Sequence, residues 1–436
     1  MDAGCTRSVG SSVSLPSYVY SCEDFVPGKT RVQYSGPFFD HHEIDAATQA
    51  LISGRWLSSG EQVVRFQNEF GRRFRTKNCL MVNSGSSANL VMIAALKKRY
   101  GWKIGDGVIV SPVGFPTTIA PIVQNGLWPF FADIELKTLN FDLDHVEKLL
   151  LTARQMKKKI AAIFISPVLG NPPDMDRLLK LSVQYDVKLV ADNCDSLGTT
   201  WNGHYWHEMC YAWSTSFYPA HHISTGEGGM VCSNDPETID LARSISWWGR
   251  DCYCVGAANL LPCGTCNKRF SDWLGDGTEI DHRYLFTNLG YNLKPLDLQG
   301  AIGLEQLKKF DEIETKRRHH AGLIEKFFDG IPGVRTARRW ASADPCWFGV
   351  PLICESRKIK ENLIRHIETN LVQTRQYFAG NILRHPGYSH LGKAADYPNA
   401  QQALDRVFFL GCPPQYTQSV LDYVSQVVRE WKPCKP

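Results

Sequence analysis

Short runs rich in branched and aromatic residues, CLMVNS, GVIVSP, WPFFAD, AAIFISP and VKLVAD, take turns along the chain with amphipathic stretches such as SSANLVMIAALKKRY, DLDHVEKLLLTARQM and MDRLLKLSVQYD. Strand and helix alternating at this pitch predict an α/β fold with a mostly parallel central sheet covered by helices on both faces. In such sheets ligands sit beyond the carboxyl ends of the strands. Residues that carry chemistry should therefore follow the runs.

They do. CLMVNS leads into Gly85, Ser86, Ser87, Ala88 and Asn89, small residues opening a helix whose free amides suit a phosphate. GVIVSP leads into Gly114, Phe115, Pro116, Thr117 and Thr118, where an aromatic ring can cover a flat ligand. VKLVAD ends on Asp192, followed by Asn193, Cys194 and Asp195. A phosphate cradle, a stacking ring and a strand-end carboxylate are what a phosphorylated pyridine requires, the carboxylate keeping the ring nitrogen protonated. Each signal taken singly is also what an ordinary helix cap produces.

Further along, SFYPAHHISTGEGG sets His221 and His222 on a Pro turn with a Gly-rich exit. Two adjacent histidines can be a metal pair, one packed and one solvated ring, or a catalytic base with a neighbour. The flanks are simpler. HEIDAATQALIS and EQVVRFQNEFGRRF read as helices, Leu296 to Phe328 reads as helical, and helices are expected near Lys358 to Asn370 and from Gln418 to Trp431. The expected organisation is an N-terminal extension over 1–32, partly flexible, a large cofactor-binding domain over 33–305 with a cysteine-bearing insert at 249–293, and a small α+β domain over 306–436.

The net charge of +4 over 436 residues, 48 Lys and Arg against 44 Asp and Glu, gives no nucleic-acid footprint; KKRY and KRRHH read as isolated helix faces. No apolar run approaches the about 18 residues of a membrane span, and the start lacks a signal peptide's apolar core. A cytoplasmic protein is expected. Its 14 cysteines then read as buried small hydrophobes or metal ligands, not as a disulfide framework.

VPGKTRVQYSG, GRWLSSG, NSGSSANL, GFPTT, QNGLWPFFAD, SFYPAHHISTGEGGM, WWGRDCYC, TCNKRF, YLFTNLGYNLK and YFAGN occur in that order. As a set they resemble the DegT/StrS-type sugar aminotransferase superfamily of fold-type I pyridoxal-phosphate enzymes. The resemblance is nearest to its iron–sulfur, pyridoxamine-phosphate-dependent 3-dehydrase branch, the CDP-4-keto-6-deoxy-D-glucose 3-dehydrase type. It implies the aspartate aminotransferase-like fold. It also implies that His221 stands where aminotransferases carry the lysine that tethers the cofactor, so the cofactor, pyridoxamine 5'-phosphate (PMP), stays free. An imidazole forms no stable Schiff base but moves protons near neutral pH.

The same resemblance implies roles for other residues. Gly85, Ser86 and Ser216 would receive the phosphate, Phe115 would stack, Asp192 would hold the ring nitrogen, and Asp195 would contact the ring hydroxyl. Asn292 would reach the phosphate of a second subunit in a homodimer, and Arg250, Arg375 and Asn381 are candidate substrate contacts. Cys194, Cys252 and Cys254, spaced C-x57-C-x-C, match the branch's cluster motif, with Cys266 as the fourth ligand of a [2Fe-2S] cluster. Cys263 is the reserve, since both lie farther from Cys254 than the branch's own last cysteine. Asp192 and Cys194 can be no more than roughly 7 Å apart, which would bring cluster and cofactor close. The implied reaction is removal of the C3 hydroxyl of a nucleotide-linked 4-keto-6-deoxyhexose in 3,6-dideoxysugar biosynthesis, with electrons from a flavin/iron–sulfur NAD(P)H reductase. Two rivals remain open: a cluster-free 3-dehydratase of the colitose type, and a non-catalytic zinc-bearing scaffold, because four thiolates suit zinc as well as iron.

Overall fold

A computed structural model describes residues 25–54, 56–252 and 269–432. All five β-rich runs lie in one seven-stranded sheet, in the order Asn78–Val82, Gly229–Ser233, Ala212–Ser216, Lys188–Asp192, Ile160–Ile165, Gly107–Val110 and Trp128–Phe131. Four of its six pairings are parallel, and Gly229–Ser233 runs antiparallel to both of its neighbours. The strand Ile160–Ile165 is buried at every position, which is why it reads as an unbroken apolar run instead of an alternating one.

The helices between the strands start where their sequences supply caps. Asp142 accepts the amides of Asp144 and His145 to open Leu143–Gln155, and Asp174 accepts the amide of Arg177 to open Met175–Tyr185. Asp186, in the left-handed region, ends the second. The helix Gly85–Arg99 is buried along most of its length, because it packs between the sheet and the helix Pro236–Ser246. A second, four-stranded antiparallel sheet, Val334–Thr336, Gly349–Cys354, Val407–Gly411 and Thr374–Gln376, is flanked by the helices Arg357–Thr369, Pro398–Arg406 and Gln418–Glu430.

The long helical stretch divides into Asp297–Lys308 and Phe310–Phe327, with Lys309 at the joint. Lys309 turns its ammonium to Asp40 and Glu43, each at 2.7 Å. Glu43, 1% exposed, also accepts from Gln306 at 2.7 Å, so one buried carboxylate ties the helix His41–Ser53 to the rest of the fold. Glu43→Ala is expected to lower stability by roughly 2 kcal/mol: Lys309 keeps Asp40 and Gln306 keeps the Phe38 carbonyl, so the loss is that of the buried carboxylate's own charge-assisted hydrogen bonds. Urea unfolding of variant and wild type checks this.

Candidate active site

A cavity of about 480 Å³ opens at the carboxyl ends of the sheet strands and is lined by Gly85, Ser86, Phe115, Asp192, Cys194, Asp195, Ser216 and His221, among others. Its position follows from the topology. Ser84 to Ser86 continue Asn78–Val82, Ser166 follows Ile160–Ile165, Asp192 closes Lys188–Asp192, and Ser216 closes Ala212–Ser216.

At one end, Ser84 caps the helix Gly85–Arg99. Its hydroxyl accepts the amide of Ser87 and its carbonyl accepts that of Ala88, and the amides of Gly85 and Ser86 precede these two. Such leading amides, with the dipole behind them, form an anion cradle. Gly85 is required there, because a Cβ would lie 2.5 Å from the Ser216 Cβ and 2.9 Å from its hydroxyl. Opposite, Gly229 passes so close to Ser84 that a Cβ would meet the Ser84 carbonyl oxygen at 2.3 Å.

On the floor, Asp192 is 5% exposed and held by three donors. The Thr118 hydroxyl and the Asn89 amide donate to one oxygen at 2.6 and 2.8 Å, and the Cys194 amide to the other at 3.3 Å. Ser214 in turn donates to Asn89. The sequence reading missed Thr118 and Asn89 as supports of Asp192, although a polar side chain among the apolar residues of a buried helix was the available signal. Phe115 is 52% exposed at the cavity mouth, its ring 5.9 Å from that of Phe378.

The wall carrying His221 is the loop between Ala212–Ser216 and Gly229–Ser233, closed by bonds from Phe217 and Thr225 back across it and by the His221 amide to the Tyr218 carbonyl. His221 Nδ1 is buried and lies 3.7 Å from an Asp195 oxygen, too far for a hydrogen bond, while the 15% of the side chain left exposed belongs to the cavity it lines. Burial pushes the imidazole down to about 3, reinforced by the charge of Arg317, so it is neutral at ordinary pH. Burial raises Asp195 to about 7, with Asp192 adding to the effect. Cys194 is held well above the usual thiol range by burial first, then by Asp192. His222 is 2% exposed, and its Nε2 pairs with the Cys346 carbonyl at 2.8 Å.

Other candidates stand elsewhere. Asn292 is outside the lining; its carbonyl oxygen accepts from Lys294 at 2.6 Å. Cys252 is 6% exposed and does not line the cavity, and Cys254, Cys263 and Cys266 lie outside the described residues. Arg375 stacks over Tyr34 at 4.1 Å, beside the cavity, and Arg250 stacks over Trp248 at 4.6 Å. Asn381 must be corrected: it is fully buried, donating to the Ala394 carbonyl at 3.0 Å and accepting the Leu383 amide at 3.2 Å, so it caps a turn and presents no surface to a substrate. Among the described residues, three metal-binding side chains converge only at Asp40, His41 and His42, on the surface.

An anion cradle, a fixed carboxylate on the floor and an aromatic ring at the mouth fit a flat phosphorylated pyridine. No lysine is among the described residues lining the cavity.

Comparison with known proteins gives the same picture. The family described as DegT/DnrJ/EryC1/StrS aminotransferase matches residues 38–429. A dTDP-4-dehydro-2,6-dideoxy-D-glucose 3-dehydratase of Saccharopolyspora spinosa is 36% identical over 416 residues, 93% of this chain and 88% of the relative. Lipopolysaccharide biosynthesis protein RfbH of Salmonella typhimurium is 32% identical, covering 94% of each chain. Among solved structures, an E. coli GDP-4-keto-6-deoxy-D-mannose-3-dehydratase with bound hydrated PLP superposes with a TM-score of 0.78 at 28% identity, over 92% of this chain and 100% of that one.

Proposed function

This chain belongs to the DegT/DnrJ/EryC1/StrS aminotransferase family, and from that membership we propose that it removes the C3 hydroxyl of a nucleotide-linked 4-keto-6-deoxyhexose instead of transferring an amine. The observation that carries the reading is a neutral His221 on the wall of a cavity lined, among the described residues, by no lysine. The relatives whose names specify 3-dehydration support it.

Pyridoxamine phosphate, when bound, supplies the amine for the sugar's ketone and the electron sink that lets the C3–O bond break. The protein's own residues orient and move protons. The amides of Gly85 and Ser86 and the hydroxyl of Ser216 hold the phosphate, Asp192 holds the ring nitrogen, Phe115 covers the ring face, and Asp195 serves the ring hydroxyl. His221 takes the proton whose loss precedes departure of the hydroxyl, its ring neutral and placed on the cavity wall. Gly85→Ala should push the Ser216 hydroxyl out of the cradle and weaken pyridoxamine phosphate binding about tenfold, measured by fluorescence titration, and should also lower thermal stability, because the new methyl crowds the Ser216 Cβ and Cα.

The finer reading adds a [2Fe-2S] cluster on Cys194, Cys252, Cys254 and Cys266, with Cys263 in reserve, fed by a flavin/iron–sulfur NAD(P)H reductase. What supports it is the Cys194 thiol lining the same cavity as Asp192. Half-buried beside two carboxylates, its pKa raised by desolvation and by their charges, that thiol stays protonated unless a cation joins it. We further assign a homodimer in which Asn292 serves the partner's cofactor; exposed Leu289, Tyr291 and Leu296 around it suit such a face.

The test is anaerobic purification followed by incubation with a reductase, NADH and a panel of nucleotide-linked 4-keto-6-deoxyhexoses. A 3-deoxy product, brown protein, and iron with matching acid-labile sulfide are expected, with colour lost in Cys252→Ser. An amino sugar as product would overturn the dehydration reading. Iron-free protein that turns over with glutamate would select the cluster-free dehydratase, and zinc without turnover the scaffold.

A further inference from the structure

Arg317, on the helix Phe310–Phe327, is 1% exposed. Its guanidinium spans two segments distant in sequence. Nη1 donates to the carbonyls of Trp347 and Phe348, both at 3.2 Å, and Nη2 to those of Ala220 at 3.3 Å and His221 at 3.2 Å. All four acceptors are neutral carbonyl oxygens. Four carbonyl dipoles turned toward one point in a dry interior repel one another unless a cation sits between them, and a planar fork satisfies paired acceptors as an ammonium cannot.

Both segments face the cavity. Ala220 and His221 belong to the catalytic loop, and the Phe348 ring lies 5.2 Å from the His221 ring. One further bond joins the same parts, His222 pairing with the Cys346 carbonyl at 2.8 Å, and Ser35, from the N-terminal segment, also donates to the Ala220 carbonyl at 2.9 Å. We propose that Arg317 is a positioning residue for the dehydration, fixing the His221 backbone against the strand that begins beyond Phe348 so that the imidazole keeps its place on the cavity wall. The inference rests on His221 moving the proton, as argued above.

The test is a double-mutant cycle on protein reconstituted with pyridoxamine phosphate. Arg317→Lys keeps the charge but cannot fork, and is expected to lower kcat about a hundredfold while KM and cofactor affinity change little. In a His221→Asn background the same change should cost nothing further, because the group it positions has gone. An equal loss in both backgrounds, or wild-type kcat in Arg317→Lys, overturns the proposal. Should Arg317→Lys fail to fold, Ser35→Ala loosens the same Ala220 carbonyl; it should lower kcat severalfold in the wild-type background only, and unchanged kcat overturns the proposal.

A readout independent of turnover separates failure of this inference from failure of the proposed reaction. Diethyl pyrocarbonate labelling of His221, followed by peptide mass spectrometry, should quicken in Arg317→Lys while labelling of exposed His41 stays constant. If the wild type dehydrates no nucleotide sugar yet the labelling quickens, the reaction is wrong and the positioning stands; unchanged labelling sinks the positioning.

Discussion

Replacing His221 with asparagine is expected to cut the rate of 3-dehydration about a thousandfold, the scale of losing a positioned proton acceptor. Asparagine is close in size to imidazole and still polar, so the cavity should keep its shape and KM for the nucleotide sugar should stay near wild type. What it cannot do is accept a proton. The imidazole in this protein is kept neutral by burial and by the Arg317 charge beneath it, with Asp195 3.7 Å from its inner nitrogen. Product formation followed by chromatography, with cofactor saturation confirmed by absorbance, checks the expectation. Retention of more than about a tenth of the wild-type rate would assign the proton transfer to another group.

The second large effect is expected at Asp192. Asp192→Asn should lower kcat about a hundredfold and also weaken cofactor binding, if the charge assigned to the pyridine nitrogen is the one removed. Geometry makes this change harsher than its small size suggests. One carboxylate oxygen is taken by Thr118 and Asn89 and the other by the Cys194 amide, all of them donors. An amide at this position must turn its own N–H groups toward one set of donors, so it loses hydrogen bonds along with the charge. Absorbance and fluorescence titration of the variant with pyridoxamine phosphate, alongside single-turnover kinetics, separates the two effects. Wild-type affinity together with wild-type kcat would remove Asp192 from the assigned role.

Most of the parallel half of the sheet was legible because Gly107–Val110, Ile160–Ile165 and Lys188–Asp192 are buried on both faces, which writes them as compact apolar runs. Strand ends then located Gly85, Phe115 and Asp192 by rule, without any knowledge of side-chain geometry. The strand Ala212–Ser216 escaped that reading. AWSTS looks half polar, yet all five residues are buried, its hydroxyls being absorbed by neighbours such as Asn89.

Arg317 was hidden for a related reason. Within KRRHH it reads as one more cation on a solvated helix face, and its partners are backbone carbonyls about 30 and 100 residues away, which carry no residue-type signal. Asn381 failed in the opposite direction. A motif position suggested substrate contact, whereas the fold had buried its amide, its oxygen capping a turn and its nitrogen bonding the Ala394 carbonyl.

The strand Gly229–Ser233 lies between Asn78–Val82 and Ala212–Ser216 and bonds to both. It comes midway along the chain but is the spacer that sets the Gly85 end of the cradle beside Ser216. A polypeptide emerging from the ribosome therefore holds the early half of its anion site unsupported for some 150 residues, until Ser233 can reach Asn78. Truncated nascent chains ending before this strand are therefore expected to show no affinity for pyridoxamine phosphate.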